Sequence, residues 1–270
     1  MARCYRQCRY KEKIMAKRPW TRDEMIMTLA LYFQLPFGRL NHATPEVRKL
    51  AQLLNRTENA VALRLVNFAA CDPYIINSGR TGMPGGLGVC MPYWNEFAND
   101  RERLFLEAQL IKAERIHQSV EKTLNISEQD LKGKERSVVI KQRINQSVFR
   151  TMVLYNYEGR CAITGINIPE LLVAGHIIPW ADSTPQLQLN PENGICLSAL
   201  YDKAFDKGLI TISPDDFTVC LSSALREYET QEYFHKHFAC INGQRMNMPV
   251  EHQPNRDFLA YHRDRIFLGA

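Results

Sequence analysis

The stretch from Glu158 to Thr211, EGRCAITGINIPELLVAGHIIPWADSTPQLQLNPENGICLSALYDKAFDKGLIT, constrains this chain more than any other part of it. Cys161 to Thr164 is a short, partly apolar run that turns at Gly165, and Leu171 to Ile178 reads as the returning strand of a hairpin. A polar loop follows Pro179 and Trp180, where Pro185 and Pro191 oppose regular structure. Asn193 and Gly194 then lead into Ile195, Leu197, Leu200 and Phe205, apolar at helical spacing, with Gly208 where the helix should stop. In this order lie a histidine on a strand (His176), an asparagine at a turn (Asn193) and two carboxylates, Asp202 and Asp206, four apart on one helical face. Together these residues predict a compact metal site.

The phrases GHIIPW and NPENGICLSALYDKAFDKG resemble the HNH endonucleases, in particular a bacterial restriction-endonuclease-like subfamily with the pattern IxPW, then NPxNGxxLxxxxDxxFDxG. The resemblance implies a ββα-metal fold. It implies that His176 is the general base that activates water, and that Asn193 orders the loop presenting it. Asp202 stands where that family's terminal histidine stands, and Asp206 aligns with a further metal ligand. One Mg²⁺ or Mn²⁺ ion per active site is the implied cofactor, because hard carboxylate oxygens suit these ions better than zinc. The residue before the base is a ligand in many relatives and is Gly175 here, so the ligands must come mainly from Asp202 and Asp206. No structural zinc is expected. Cys161 is followed three positions later by Thr164, the matching helix positions are Ser198 and Tyr201, and Cys161 with Cys196 cannot complete the usual Cys-x-x-Cys pairs. The implied activity is metal-dependent hydrolysis of phosphodiester bonds in double-stranded DNA, of the restriction or phage-defence type, with dependence on base modification left open. A nicking or homing-type enzyme and a catalytically silent DNA-binding protein on the same fold are the alternatives. A homodimer is expected, because one active site cuts one strand at a time.

Composition sets wider bounds. The 34 basic and 29 acidic residues leave a net charge of +5, which permits an anionic partner without requiring one. Eight cysteines without a regular framework, and no signal peptide before them, favour reduced thiols and a cytoplasmic setting. No apolar run approaches transmembrane length. No GxGxxG follows a strand and no GK[ST] is present, so no nucleotide cofactor is expected.

The fold class expected is α+β, a mainly helical N-terminal domain followed by the C-terminal ββα module. Residues 1–19 form a basic tail, with seven basic residues against one acidic, and Cys4 and Cys8 in it lack the partners that zinc would need. Residues 20–98 read as a helix-turn-helix-like DNA-recognition domain. Thr21 and Glu24 make a capping box for a first helix, a second starts near Thr44, and a third runs from Ala60 to Phe68. That reading puts Arg56, Asn59 and Arg64 at or near the DNA-facing side of the third helix. Asn77 to Pro92, rich in glycine, reads as a flexible surface loop from which Arg80 reaches a phosphate. Residues 99–136 supply a bridging helix and linker, continuing a helical stretch from Trp94, and residues 137–270 the nuclease domain. There Arg150 on an amphipathic helix, and Lys203 and Lys207 beside the two aspartates, are candidate DNA-backbone contacts. His252 and His262 read as packing or surface residues rather than ligands, and residues 256–267 as a segment packing back over the module.

Overall fold

The computed structural model describes residues 18–132 and 135–269, and the basic tail before Arg18, with Cys4 and Cys8, lies outside them. The chain separates into two units, Met1–Gln146 and Ser147–Ala270. The first is mostly helical; the second is mixed α/β with two small hairpins.

The N-terminal unit is built round α1 (Arg22–Tyr32), buried continuously from Glu24 to Tyr32. A helix covered on all sides is a core element rather than a surface one. It packs against α2 (Pro45–Leu54), α3 (Glu58–Ala69), α4 (Leu87–Phe97) and α5 (Arg101–Arg115). Its start is set by the capping box: Thr21 Oγ1 accepts from the Glu24 amide at 3.3 Å, and the Glu24 carboxylate accepts from the Thr21 amide at 3.0 Å.

That capping carboxylate is wholly buried, and a buried charge needs a partner. Arg56 supplies it at 2.8 Å, and Arg18 pairs with the other oxygen. Burial pushes the Glu24 carboxyl up, but the hydrogen bonds from Arg56 and from the Thr21 amide prevail and hold it below its ordinary value. Arg56 also donates to the carbonyls of Arg18 and Pro19 at 3.0 and 2.7 Å and lies 4.3 Å over the Trp20 ring. This corrects the expected DNA-facing role, since Arg56 is 7% exposed and serves as an internal clamp. Arg64 likewise turns inward, 4.9 Å over Trp20 with Nη1 3.7 Å from the Cys90 sulfur on α4. Of the three residues expected at or near that face of α3, only Asn59 is exposed.

The glycine-rich segment is also not the open loop expected. It docks on the end of α3, where the Met83 amide donates to the Val66 carbonyl at 3.0 Å and Asn67 Nδ2 to the Met83 carbonyl at 2.8 Å. A Cβ at Gly82 would sit 2.2 Å from the Ala70 nitrogen, and one at Gly86 2.3 Å from Asn67 Cγ. The glycines permit close approach rather than mobility. Arg80, half-buried, lies 5.4 Å over Phe37 with Nε 2.8 Å from Ser78 Oγ. The helical stretch expected from Trp94 onward breaks at residues 98–100, where Asp100 caps α5.

In the C-terminal unit, α6 (Arg136–Asn156) supplies its residues from Ser147 onward. There follow β1 (Leu172–His176), β2 (Gly194–Ser198), α7 (Ala199–Asp206), β3 (Ile210–Ile212), β4 (Val219–Leu221) and α8 (Arg256–Arg265). The first hairpin differs from the expected one. Cys161–Thr164 is a turn whose Ala162 amide bonds to the Cys196 carbonyl at 2.7 Å, and β1 pairs antiparallel with β2. Ile195 and Leu197, read from the sequence as helical, are therefore strand residues, and the helix starts only at Ala199. A strand buried on both faces is continuously apolar, so its pattern merges with that of the helix after it.

Gly208 follows α7 at φ +66°, and a Cβ there would lie 2.1 Å from the Ile266 carbonyl oxygen, so glycine is needed on both counts. α8 packs on β3 and carries His262, 1% exposed, stacked on Phe205 at 3.6 Å. Its Nδ1 meets Thr211 Oγ1 at 2.9 Å and its Nε2 donates to the Phe205 carbonyl at 3.1 Å.

Two stability effects are expected. Arg56→Ala leaves Glu24 buried without its main partner and should cost about 3–5 kcal/mol, measured by urea unfolding. Burial lowers the His262 pKa from 6.5 to about 4. The unfolded chain therefore takes up the proton first, and the stability contributed by neutral His262 is present above pH 6.5 and lost as pH falls toward 4. The stability advantage of wild type over His262→Gln should shrink by about 3 kcal/mol across that window. A pH-independent difference would contradict this.

Candidate active site

The long connection between β1 and β2 is organised by one side chain. Asn193, 0% exposed, accepts from the Ile178 amide at 2.8 Å through Oδ1 and donates through Nδ2 to the carbonyls of Ile178 and Leu187 at 3.3 and 3.4 Å. Its own carbonyl accepts from the Ile177 amide at 2.9 Å. Both sides of the Ile178 peptide and the far arm of the loop are thus tied to one buried amide, at the end of β1 where His176 stands.

His176 pairs across the sheet with Gly194. Its Nε2 lies 3.2 Å from the Gln188 carbonyl oxygen. A carbonyl only accepts, so Nε2 carries the proton and Nδ1 the free electron pair. Burial lowers the imidazole pKa to about 4, against the opposing pull of the Gln188 carbonyl. At neutral pH the ring is therefore neutral and able to accept a proton. Phe149 stacks on it at 3.6 Å, and Trp180 meets it edge-on at 5.4 Å.

Asp202 and Asp206 lie on α7, Asp202 half-buried and Asp206 exposed. Burial raises the Asp202 carboxyl to about 6, the charge of Asp206 adds to this, and Lys203 opposes it. A Cβ on Gly175 would meet Asp202 Oδ1 at 2.6 Å. Gly175 before His176 therefore does more than lack a side chain, since its bare Cα gives the Asp202 carboxylate its place beside β1. Lys203 is exposed on α7, and Lys207 is exposed just after its end. Arg150 is committed to holding α6 on β1, donating to the carbonyls of Leu172 and Pro169 at 2.8 and 3.3 Å.

Among the described residues, no three His, Cys, Asp or Glu side chains gather into a metal cluster. The donor set still fits a hard divalent cation. Mg²⁺ is commonly held by one or two carboxylates, with water and phosphate oxygens completing its shell, and two neighbouring carboxylates on α7 meet that need.

Sequence reasoning did not find Phe149, Trp180 or Gln188 as neighbours of His176. Only the Pro-Trp phrase offered a signal, for Trp180. Gln188 acts through its backbone, which residue identity does not mark.

A strand histidine, a buried asparagine clamp and a following helix with acidic side chains form the ββα arrangement of an HNH domain. The family model for HNH endonucleases matches residues 161–213, the segment that holds these elements. Comparison with curated proteins gives no match for the chain.

Asn193→Ala should loosen the β1–β2 connection. The unpaired groups at Ile178 and Leu187 should cost about 1–3 kcal/mol in denaturant unfolding, and exchange of the Ile178 amide proton should speed up. An exchange rate equal to wild type would show that the loop is held by something else.

Proposed function

We propose that this protein is a divalent-cation-dependent endonuclease that hydrolyses phosphodiester bonds of double-stranded DNA, of the restriction or phage-defence type. The observation that carries the reading is the neutral His176, with Nε2–H directed at the Gln188 carbonyl and Nδ1 left as acceptor, inside the segment matched by the HNH endonuclease family. A phosphodiester is anionic and repels nucleophiles, so its hydrolysis needs a nucleophile made from water and compensation for charge on the phosphoryl and leaving oxygens.

In this mechanism His176 Nδ1 takes a proton from the attacking water. The Gln188 carbonyl fixes the tautomer and favours the imidazolium that forms, while Asn193 keeps the carbonyl-bearing loop in register with β1. Asp202 and Asp206 are the ligands for a Mg²⁺ or Mn²⁺ ion, whose chemistry when bound is Lewis-acid stabilisation of the phosphoryl and leaving oxygens. Gly175 leaves room for the Asp202 carboxylate. Lys203 on the same helix and Lys207 just after its end, both exposed, are assigned to phosphates flanking the scissile bond. Two copies of the chain, each cutting one strand, would complete a double-strand break.

Cleavage of linear and supercoiled DNA by the purified protein tests the reading. His176→Ala should fold and bind DNA yet lose cleavage by about 10²-fold or more, and excess chelator should abolish it. In the His176→Ala background, Gly175→Ala and Asp202→Ala should each weaken calorimetric Mn²⁺ binding by about 10-fold or more, the first by displacing the carboxylate and the second by removing it. Full-rate cleavage by His176→Ala or in excess chelator would overturn the mechanism, and nicking alone on supercoiled substrate would identify a single-strand enzyme.

A further inference from the structure

Phe149 lies on α6, outside residues 161–213, yet its ring stacks on the His176 imidazole, with centroids 3.6 Å apart and planes 12° from parallel. Directly across the sheet from His176 stands Gly194. A Cβ at Gly194 would lie 2.9 Å from Phe149 Cζ and 2.4 Å from Val153 Cγ2. The backbone there has φ −121° and ψ 138°, an extended conformation open to any residue. The glycine of the Asn-Gly pair is thus required by the two α6 side chains it admits, Val153 and Phe149, rather than by turn geometry.

The remaining contacts on the imidazole leave it one freedom. The Gln188 carbonyl holds Nε2 at 3.2 Å, and Trp180 touches the ring edge-on at 88°. A bond at one nitrogen sets the direction of that nitrogen but lets the ring tilt about the bond. A flat aromatic face in contact with the ring removes the tilt. Phe149 is itself held rigidly, 2% exposed in the core of the unit, so it acts as a fixed wall.

We infer that Phe149 is a positioning residue for His176, and that Gly194 is bare so that the Phe149 ring can reach the base. The inference rests on His176 being the general base. It extends the machinery of the site to α6, so that the chemistry depends on a helix outside the segment matched by the family.

The test uses the full chain with Phe149→Leu, Phe149→Met and Val153→Ala. Either Phe149 variant keeps the position apolar but removes the flat face. Val153→Ala removes buried volume at the same glycine and leaves that face in place. At saturating DNA and Mg²⁺, both Phe149 variants should cleave about 10- to 100-fold more slowly, the scale of a misaligned reacting group. Their half-saturating DNA concentration and Mn²⁺ affinity should stay within about twofold of wild type, as expected when the loss is in the chemical step alone. Val153→Ala should cleave within about threefold of the wild-type rate. In proton–carbon NMR spectra, the His176 ring protons should be shifted upfield by the stacked ring in wild type and in Val153→Ala, and the shift should vanish in both Phe149 variants. Wild-type cleavage by the Phe149 variants would overturn the inference, as would an equal loss in Val153→Ala or the absence of the upfield shift. These results differ from failure of the base assignment, which shows as full-rate cleavage by His176→Ala.

Discussion

The bracket that Asn193 places round the Ile178 peptide is the interaction on which the rest of the site depends. β1 and β2 are far apart in sequence, and short antiparallel strands joined by a long connection pay a loop-closure cost that a tight hairpin does not. The buried amide offsets that cost with directed bonds at both ends of the connection. Once it is made, the antiparallel register follows, the Gln188 carbonyl faces His176, and α7 leaves the sheet with Asp202 over Gly175. Asn156 repeats the device: its side chain accepts from the Glu251 and His252 amides and donates to the His252 carbonyl at 2.7 Å. In this unit side-chain amides pin irregular backbone at two places.

How far the sequence could be read depended on distance along the chain. His176, Asn193, Asp202 and Asp206 fall within one short segment, and the phrases around them carry the family resemblance that implies a ββα fold. The boundary between strand and helix was hidden, because Ile195 and Leu197 are buried on a two-sided strand that runs straight into the apolar face of α7. Cys161–Thr164 has the composition of a strand, but its backbone turns, and the partner of β1 comes from the other end of the loop. The stacking of Phe149 on His176 joins residues that no period links.

The N-terminal unit misleads for a related reason. Arg56 and Arg64 sit where arginines of a recognition helix would sit, and nothing local reveals that Glu24 and Trp20 lie within their reach. A helix-turn-helix pattern describes only which side of each helix is apolar. Here a fourth helix, α4, packs against α3, and the glycines that bring the preceding segment close to α3 look in sequence like those of a loose loop.

The helix that bears the two aspartates begins in an unusual way. Ser198 is its N-cap residue, no hydroxyl cap forms, and the Ser198 amide itself donates to the sulfur of Cys161 at 3.2 Å. A thiol is a weak acceptor, so the tie between the Cys161 turn and the residue that starts the helix is a soft one. The thiol is fully buried, and its solvent access is therefore linked to separation of the Cys161 turn from the start of α7. A sulfhydryl reagent that labels the exposed Cys240 in every molecule would reach Cys161 only where that contact has opened, making Cys161 an internal gauge of how often the acidic helix lifts away from its sheet.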